Sequence, residues 1–198
     1  MARPLALPPQ DLNTQALYIE HLNPSRLYRV SRHLTGEPYF GRSGGNRFDS
    51  TSREYGTCYL GCSLTTALAE SVLHDLVPRG GYYAVSAEDL AACYVHQFFG
   101  TPLRLANLTG AYLNRLGAHG ELCGTPSYEI PQAWSQAIHS HPAAVDGFLY
   151  MPRLVNTERA IVLFDRGNAT SMRPTGPVPL LEHHEYPETA ATLGIEPC

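Results

Sequence analysis

Short strand-like and helix-like segments alternate along this chain without a regular βαβ rhythm, which predicts an α+β fold rather than a doubly wound parallel sheet. Two observations carry that expectation. The runs DGFLYM (146–151) and RAIVLFD (159–165) are nearly continuous apolar stretches of strand length, as in strands covered on both faces. The runs LTTALAESVLHDL (64–76) and EIPQAWSQAIHS (129–140) instead repeat their apolar residues at helical spacing. With 198 residues, 43% hydrophobic and 16% charged, the chain can bury one core, and a single domain over residues 1–198 is expected.

Residues 1–15 form a Pro-rich lead-in. Three prolines and no apolar run in residues 1–10 argue against a signal peptide. RLYRVS (26–31) reads as a strand, with Leu27, Arg29 and Ser31 on one face. Residues 35–56 are rich in Gly, Ser, Asn and Asp and read as a long loop, a feature that is usually functional in a compact domain. TCYLGC (57–62) alternates Cys58, Leu60 and Cys62 against Tyr59. Ser63 is the expected N-cap of a helix running to about Leu76. Gly80-Gly81 closes that unit, YYAVS (82–86) is a further strand, and LRLAN (103–107) is short and apolar. TGAYLNRLG (109–117) and residues 129–140 read as helices, Pro131 being tolerated in the first turn of the second. Residues 167–198 carry five prolines and no strong periodicity, and read as an ordered tail or wrapping arm.

The net charge of −4 argues against a general electrostatic grip on nucleic acid. No window is apolar for long enough to suggest a membrane helix. There is no lysine, so Schiff-base chemistry and a Walker lysine are excluded, and an anionic ligand would be held by arginine forks or backbone N–H groups. Five cysteines, an odd number, do not suggest a disulfide framework, and a cytoplasmic location is expected. No GxSxG elbow is present, and Cys58-x3-Cys62, His139-x-His141 and His183-His184-Glu185 lack the spacing of a tetrahedral site, so no metal is expected.

The remaining polar residues suggest a ligand site. Glu70 falls opposite the apolar stripe Leu64, Leu68, Ala69, Val72, Leu73 and Leu76, so periodicity makes it solvent-facing or the wall of a cleft. Arg29, inside a strand, is either a structural ion pair or an anion ligand. Arg42 and Arg47 flank a Gly-rich segment that is either a surface loop or a phosphate cradle. Tyr59 is either core or a platform for a ring or ribose.

RLYRV, GNRF, YLGCSLTTALAE, LRLANLTG, DGFLYMPR and AIVLFD, in this order and spacing over roughly residues 22–166, resemble the RES-domain family of bacterial toxin–antitoxin toxins. The resemblance implies an ADP-ribosyltransferase-like α+β fold, with central mixed or antiparallel sheets and flanking helices. It implies NAD as substrate, cleaved at the nicotinamide–ribose bond with water or inorganic phosphate as acceptor. It implies that Arg29, Arg47, Tyr59 and Glu70 line the NAD cleft, with Arg29, Tyr59 and Glu70 expected in catalysis and Arg29, Arg47 and Tyr59 in binding; Arg42, from the Gly-rich segment, and Asn156, a polar neighbour of Pro152, are the further expected NAD ligands. It also implies an Xre-type helix-turn-helix antitoxin as partner. Transfer of ADP-ribose to a macromolecule is the alternative enzyme. A catalytically impaired binding module is the other alternative, because Pro152 stands where the family carries a serine; Arg153 or Asn156 could substitute for it.

Overall fold

The computed structural model describes residues 4–198; residues 1–3 of the lead-in lie outside the described residues. The strands are β1 (Ile19–Leu22), β2 (Tyr28–Ser31), β3 (Thr57–Gly61), β4 (Tyr83–Val85), β5 (Tyr94–Phe99), β6 (Leu103–Asn107), β7 (Gly147–Tyr150), β8 (Ala160–Phe164), β9 (Arg173–Pro174), β10 (Val178–Pro179) and β11 (Ile195–Pro197). The helices are α1 (Leu64–Leu68), α2 (Ala87–Ala91), α3 (Gly110–Arg115), α4 (Glu121–Gly124), α5 (Glu129–His139) and α6 (Tyr186–Leu193). The fold is α+β, as the sequence predicts. One nine-stranded mixed sheet runs β1-β6-β7-β8-β3-β2-β5-β10, with β9 also on β5, and β4 and β11 form a separate two-stranded sheet. Within the large sheet β6 and β7 pair in parallel and the other pairs are antiparallel.

Strands β7 and β8 are apolar throughout because both faces of the sheet are covered. Phe148, Tyr150, Val162 and Phe164 pack with Trp134 and Ile138 of α5. Leu149, Ile161 and Leu163 face the other way, where they meet Leu27 and Phe98 from the β2–β5 end. Residues from the middle and from one end of the sheet thus share one cluster, so the sheet curls upon itself. A third cluster seats α1 against Val30, Val85, Leu90, Val95, Leu180 and Ile195.

The helix expected over 64–76 takes a different form. Ser63 caps it, accepting from Thr66 N–H at 3.0 Å. After Leu68 the backbone widens into a π-helical turn, Ala69–Leu73. The fully buried leucines are 64, 68 and 73, so the last step is five residues, the interval that a π turn returns to the same face. The Ser71 hydroxyl donates to the Ala67 carbonyl at 2.7 Å, a local bond of the kind that loosens an α-helix. Leu76 and Val77, beyond the turn, are 39% and 82% exposed rather than part of the buried stripe.

The C-terminal arm is structured. β9 and β10 add to β5, α6 packs toward α1, and β11 pairs in parallel with β4. Tyr28 OH donates to Glu185 at 2.9 Å, tying the arm to the central sheet. At the other end, Trp134 Nε1 donates to the Ala6 carbonyl at 2.9 Å and holds the lead-in across α5. No helix among the described residues is long and apolar enough to cross a membrane.

The turn from β3 into α1 depends on Gly61. A Cβ there would lie 2.4 Å from the backbone nitrogen of Ala67 and 2.7 Å from the Ser63 carbonyl, and neither atom can move without displacing α1. Gly61→Ala is expected to cost at least the ~1–3 kcal/mol of an overpacked core, read as a lowered urea midpoint; an unchanged midpoint would contradict this packing.

Candidate functional site

A cleft of about 670 Å³ opens between β2–β3, the Gly-rich loop, the π turn, the β4–α2 segment and the loop that follows β7. Arg29, Arg47, Tyr59 and Glu70 all line it. Four residues separated by as many as 41 positions of sequence therefore meet on one surface. The cleft carries four arginines against two carboxylates, in a chain whose net charge is −4.

Arg47 is positioned by a buried carboxylate. Asp49 accepts from Thr57 Oγ1 at 2.6 Å, Tyr59 OH at 3.1 Å, Ser43 Oγ at 2.8 Å, and both Asn46 N and Nδ2 at 3.1 Å. Burial pushes the Asp49 carboxyl up, but these donors, Thr57 foremost, outweigh burial and hold it below the usual range. Gly44 has φ +75°, which glycine adopts without strain, and Gln132 of α5 donates to the Gly44 and Asn46 carbonyls at 3.0 Å. On this fixed loop the Arg47 guanidinium donates to the Thr125 carbonyl at 2.6 Å and stacks 4.7 Å over the Tyr128 ring.

Tyr59 faces the cleft, but its hydroxyl is already engaged. It donates to Asp49 and accepts from Phe48 N–H at 2.9 Å. Burial and the adjacent Asp49 charge push it well above the ordinary tyrosine range, so it stays a donor. The expected bond from this hydroxyl to a ribose therefore gives way to one that braces the loop.

Glu70 sits on the π turn, half-buried, and its Oε2 accepts from Tyr150 OH at 2.7 Å. Tyr150 is 2% exposed on β7, and burial, with Glu70 beside it, raises its phenol far above the usual value. The buried Cys123 thiol also lines the cleft. Burial pushes that thiol up to about 12, so it is no nucleophile near neutral pH.

Arg29 forms the structural ion pair that its strand position allowed, and it also lines the cleft. Its Nε lies 2.6 Å from Glu37, without the alignment of a hydrogen bond, and its Nη1 donates to the Tyr59 carbonyl at 3.0 Å. Burial pushes the Glu37 carboxyl up, but Arg29 and the Tyr39 N–H hold it below the usual range. A charged pair thus supports the β2 side of the cleft, and much of the Arg29 charge is balanced.

Two expected ligands lie elsewhere. Arg42 is directed away from the cleft: it donates to the Arg53 and Glu54 carbonyls at 2.8 and 2.9 Å and pairs with Asp165, pinning the base of the loop. Asn156 is exposed and does not line the cleft. Its loop presents Arg153 and Leu154 to the cleft and then returns to α1, where Glu158 accepts from the Ser63 and Thr66 hydroxyls. Pro152 is buried and does not line the cleft. His183, His184 and Glu185 could bring ligand atoms within 4.8 Å of one another, but Glu185 holds Tyr28 and the group lies outside the cleft lining.

Asp49, Tyr150, Glu37 and Tyr128 are the site residues that sequence reasoning missed. Tyr150 had a signal, since strand alternation places it on the same face as Phe148. Asp49 had a weaker one, an acid ending a Gly/Ser/Asn loop.

A family model for the RES domain matches residues 26–186, and so continues through most of the C-terminal arm. Among solved structures, a chain of the M. tuberculosis MbcT–MbcA toxin–antitoxin complex superposes with a TM-score of 0.65 at 16% identity, over 92% of this chain and 96% of that one. No curated protein matches this chain in sequence.

Because the folded pKa of Asp49 lies below its unfolded value, its stabilising contribution is present above about pH 4 and is lost as pH falls through the folded value. Asp49→Asn is expected to lower stability at neutral pH by about 1–3 kcal/mol and to flatten the acid limb in urea unfolding. An acid limb as steep as in the parent protein would remove Asp49 from this role.

Proposed function

This chain belongs to the RES-domain family, and from that premise we propose that it is the toxin of a toxin–antitoxin pair that cleaves NAD at the nicotinamide–ribose bond. The observation that carries the reading is the meeting of Glu70, Arg29, Arg47 and Tyr59 on one cleft with an excess of guanidinium charge. NAD joins a cationic ring, two riboses and a diphosphate, and such a cleft offers it a carboxylate, arginines and an aromatic wall.

In this mechanism Arg47 holds the diphosphate side of the substrate. Arg29, partly balanced by Glu37, supports the floor and offers its remaining edge. Tyr59 braces the Arg47 loop and presents its ring. Glu70 hydrogen-bonds the nicotinamide ribose and offsets the positive charge that grows on the ribose as the bond lengthens. Tyr150 keeps the Glu70 carboxylate aimed. The C1′–N bond breaks with its electron pair passing to the ring nitrogen, so nicotinamide leaves neutral and needs no general acid. Water or inorganic phosphate then forms the new bond at C1′, and the attacking oxygen loses its proton to solvent. The chemistry needs no metal, and the protein acts by orientation and electrostatics.

The antitoxin partner is inferred from the family and from the complex that contains the structural neighbour. Leu76 and Val77 leave apolar surface beside the cleft for such a partner to cover. Pro152 supports one other reading, a fold that binds NAD without turning it over.

Purified protein incubated with NAD, with and without phosphate, is expected to release nicotinamide; no release in either condition would refute the enzymatic reading. Glu70→Gln is expected to lower kcat by about 10²–10³-fold, or ~3–4 kcal/mol of transition-state stabilisation. Tyr150→Phe, which keeps the ring, is expected to lower kcat by about tenfold or more while KM and the melting temperature hold, a split that a purely structural tyrosine would not produce.

A further inference from the structure

The four arginines of the cleft are not equivalent. Arg29 is paired with Glu37 at 2.6 Å, and Arg32 with Asp89 at 2.7 Å. Arg47 and Arg153 also line the cleft but belong to no ion pair among the described residues. Each is held instead by a backbone carbonyl, Arg47 by Thr125 at 2.6 Å and Arg153 by His74 at 3.1 Å. A carbonyl orients a guanidinium without cancelling its charge. Two oriented, uncompensated cations on one cleft form a receptor for two linked negative charges.

We propose that Arg47 and Arg153 together form a diphosphate-binding subsite. Pro152 has no N–H and is buried, whereas its neighbour reaches the cleft from the same loop. The His74 carbonyl that holds Arg153 lies just past the π turn bearing Glu70, so the subsite borders the reacting end of the cleft. Arg29, which the sequence suggested as a phosphate ligand, has a buried carboxylate as its counter-ion and is a positioning residue for β2 and β3. This subsite deepens the NAD reading and rests on it for the identity of the natural ligand, but not for the presence of an anion site.

Titration with inorganic pyrophosphate, followed by calorimetry, tests the subsite without turnover. The parent protein is expected to bind pyrophosphate at least tenfold more tightly than orthophosphate. Arg47→Met and Arg153→Met are each expected to weaken pyrophosphate binding tenfold or more, and Arg115→Gln, on exposed α3, to leave it unchanged. Arg153 is exposed, so its variant should melt with the parent. Pyrophosphate binding that is unaltered in Arg153→Met, or no stronger than orthophosphate binding, would overturn the proposal. Pyrophosphate binding that depends on both arginines in a protein that does not cleave NAD would count against the enzymatic reading and leave the subsite standing.

Discussion

The cleft depends on one buried carboxylate. Asp49 gathers donors from Ser43, Asn46, Thr57 and Tyr59, so the Gly-rich loop, strand β3 and the cleft tyrosine share one acceptor. A loop so rich in glycine has large conformational freedom in the unfolded chain, and ordering it opposes folding. Five charge-assisted hydrogen bonds in a buried setting offset that cost, each stronger than its neutral counterpart. The result is an arginine on a loop that is anchored to strand β3 through Asp49.

The same logic holds on the opposite wall. Glu70 lies on a turn whose backbone departs from α geometry, and Tyr150 fixes its carboxylate from the floor of the sheet. Across the π turn Leu68, Ala69 and Leu73 all stay buried, while Glu70 between them lines the cleft. The π turn and the tyrosine are thus two solutions to one problem, the presentation of a charged group toward a cleft from an element whose other face is buried.

These particulars explain what was legible in the sequence. Strands β6, β7 and β8 and helix α5 announce themselves because apolar pattern and burial coincide there. β1 and β5 do not: β5 carries His96 and Gln97 in its middle, and the buried His96 has one ring nitrogen 2.9 Å from the His33 carbonyl. The helix that bears Glu70 was legible, but its π turn was not, since periodicity assumes one pitch throughout. Glu70, Arg29, Arg47 and Tyr59 were legible as candidates by residue type and family pattern. Their partners were not, because Asp49, Glu37 and Tyr150 act through distance in space, which no local pattern encodes. Arg42 misleads for the same reason: its spacing from the glycines resembles that of Arg47, but the Arg53 and Glu54 carbonyls and Asp165 hold it away from the cleft.

Pro152 lies where the chain leaves the sheet. β7 ends at Tyr150 and β8 begins at Ala160, and a proline two residues past the end of β7 cannot donate to a continued ladder. The chain must leave the sheet there. Glu158 then fixes where it returns, through the Ser63 and Thr66 hydroxyls at the start of α1. Between those two anchors the loop presents Arg153 to the cleft and leaves Asn156 in solvent. The same two anchors therefore bring Arg153 to the cleft, although Pro152, one residue before it, is buried away from the lining.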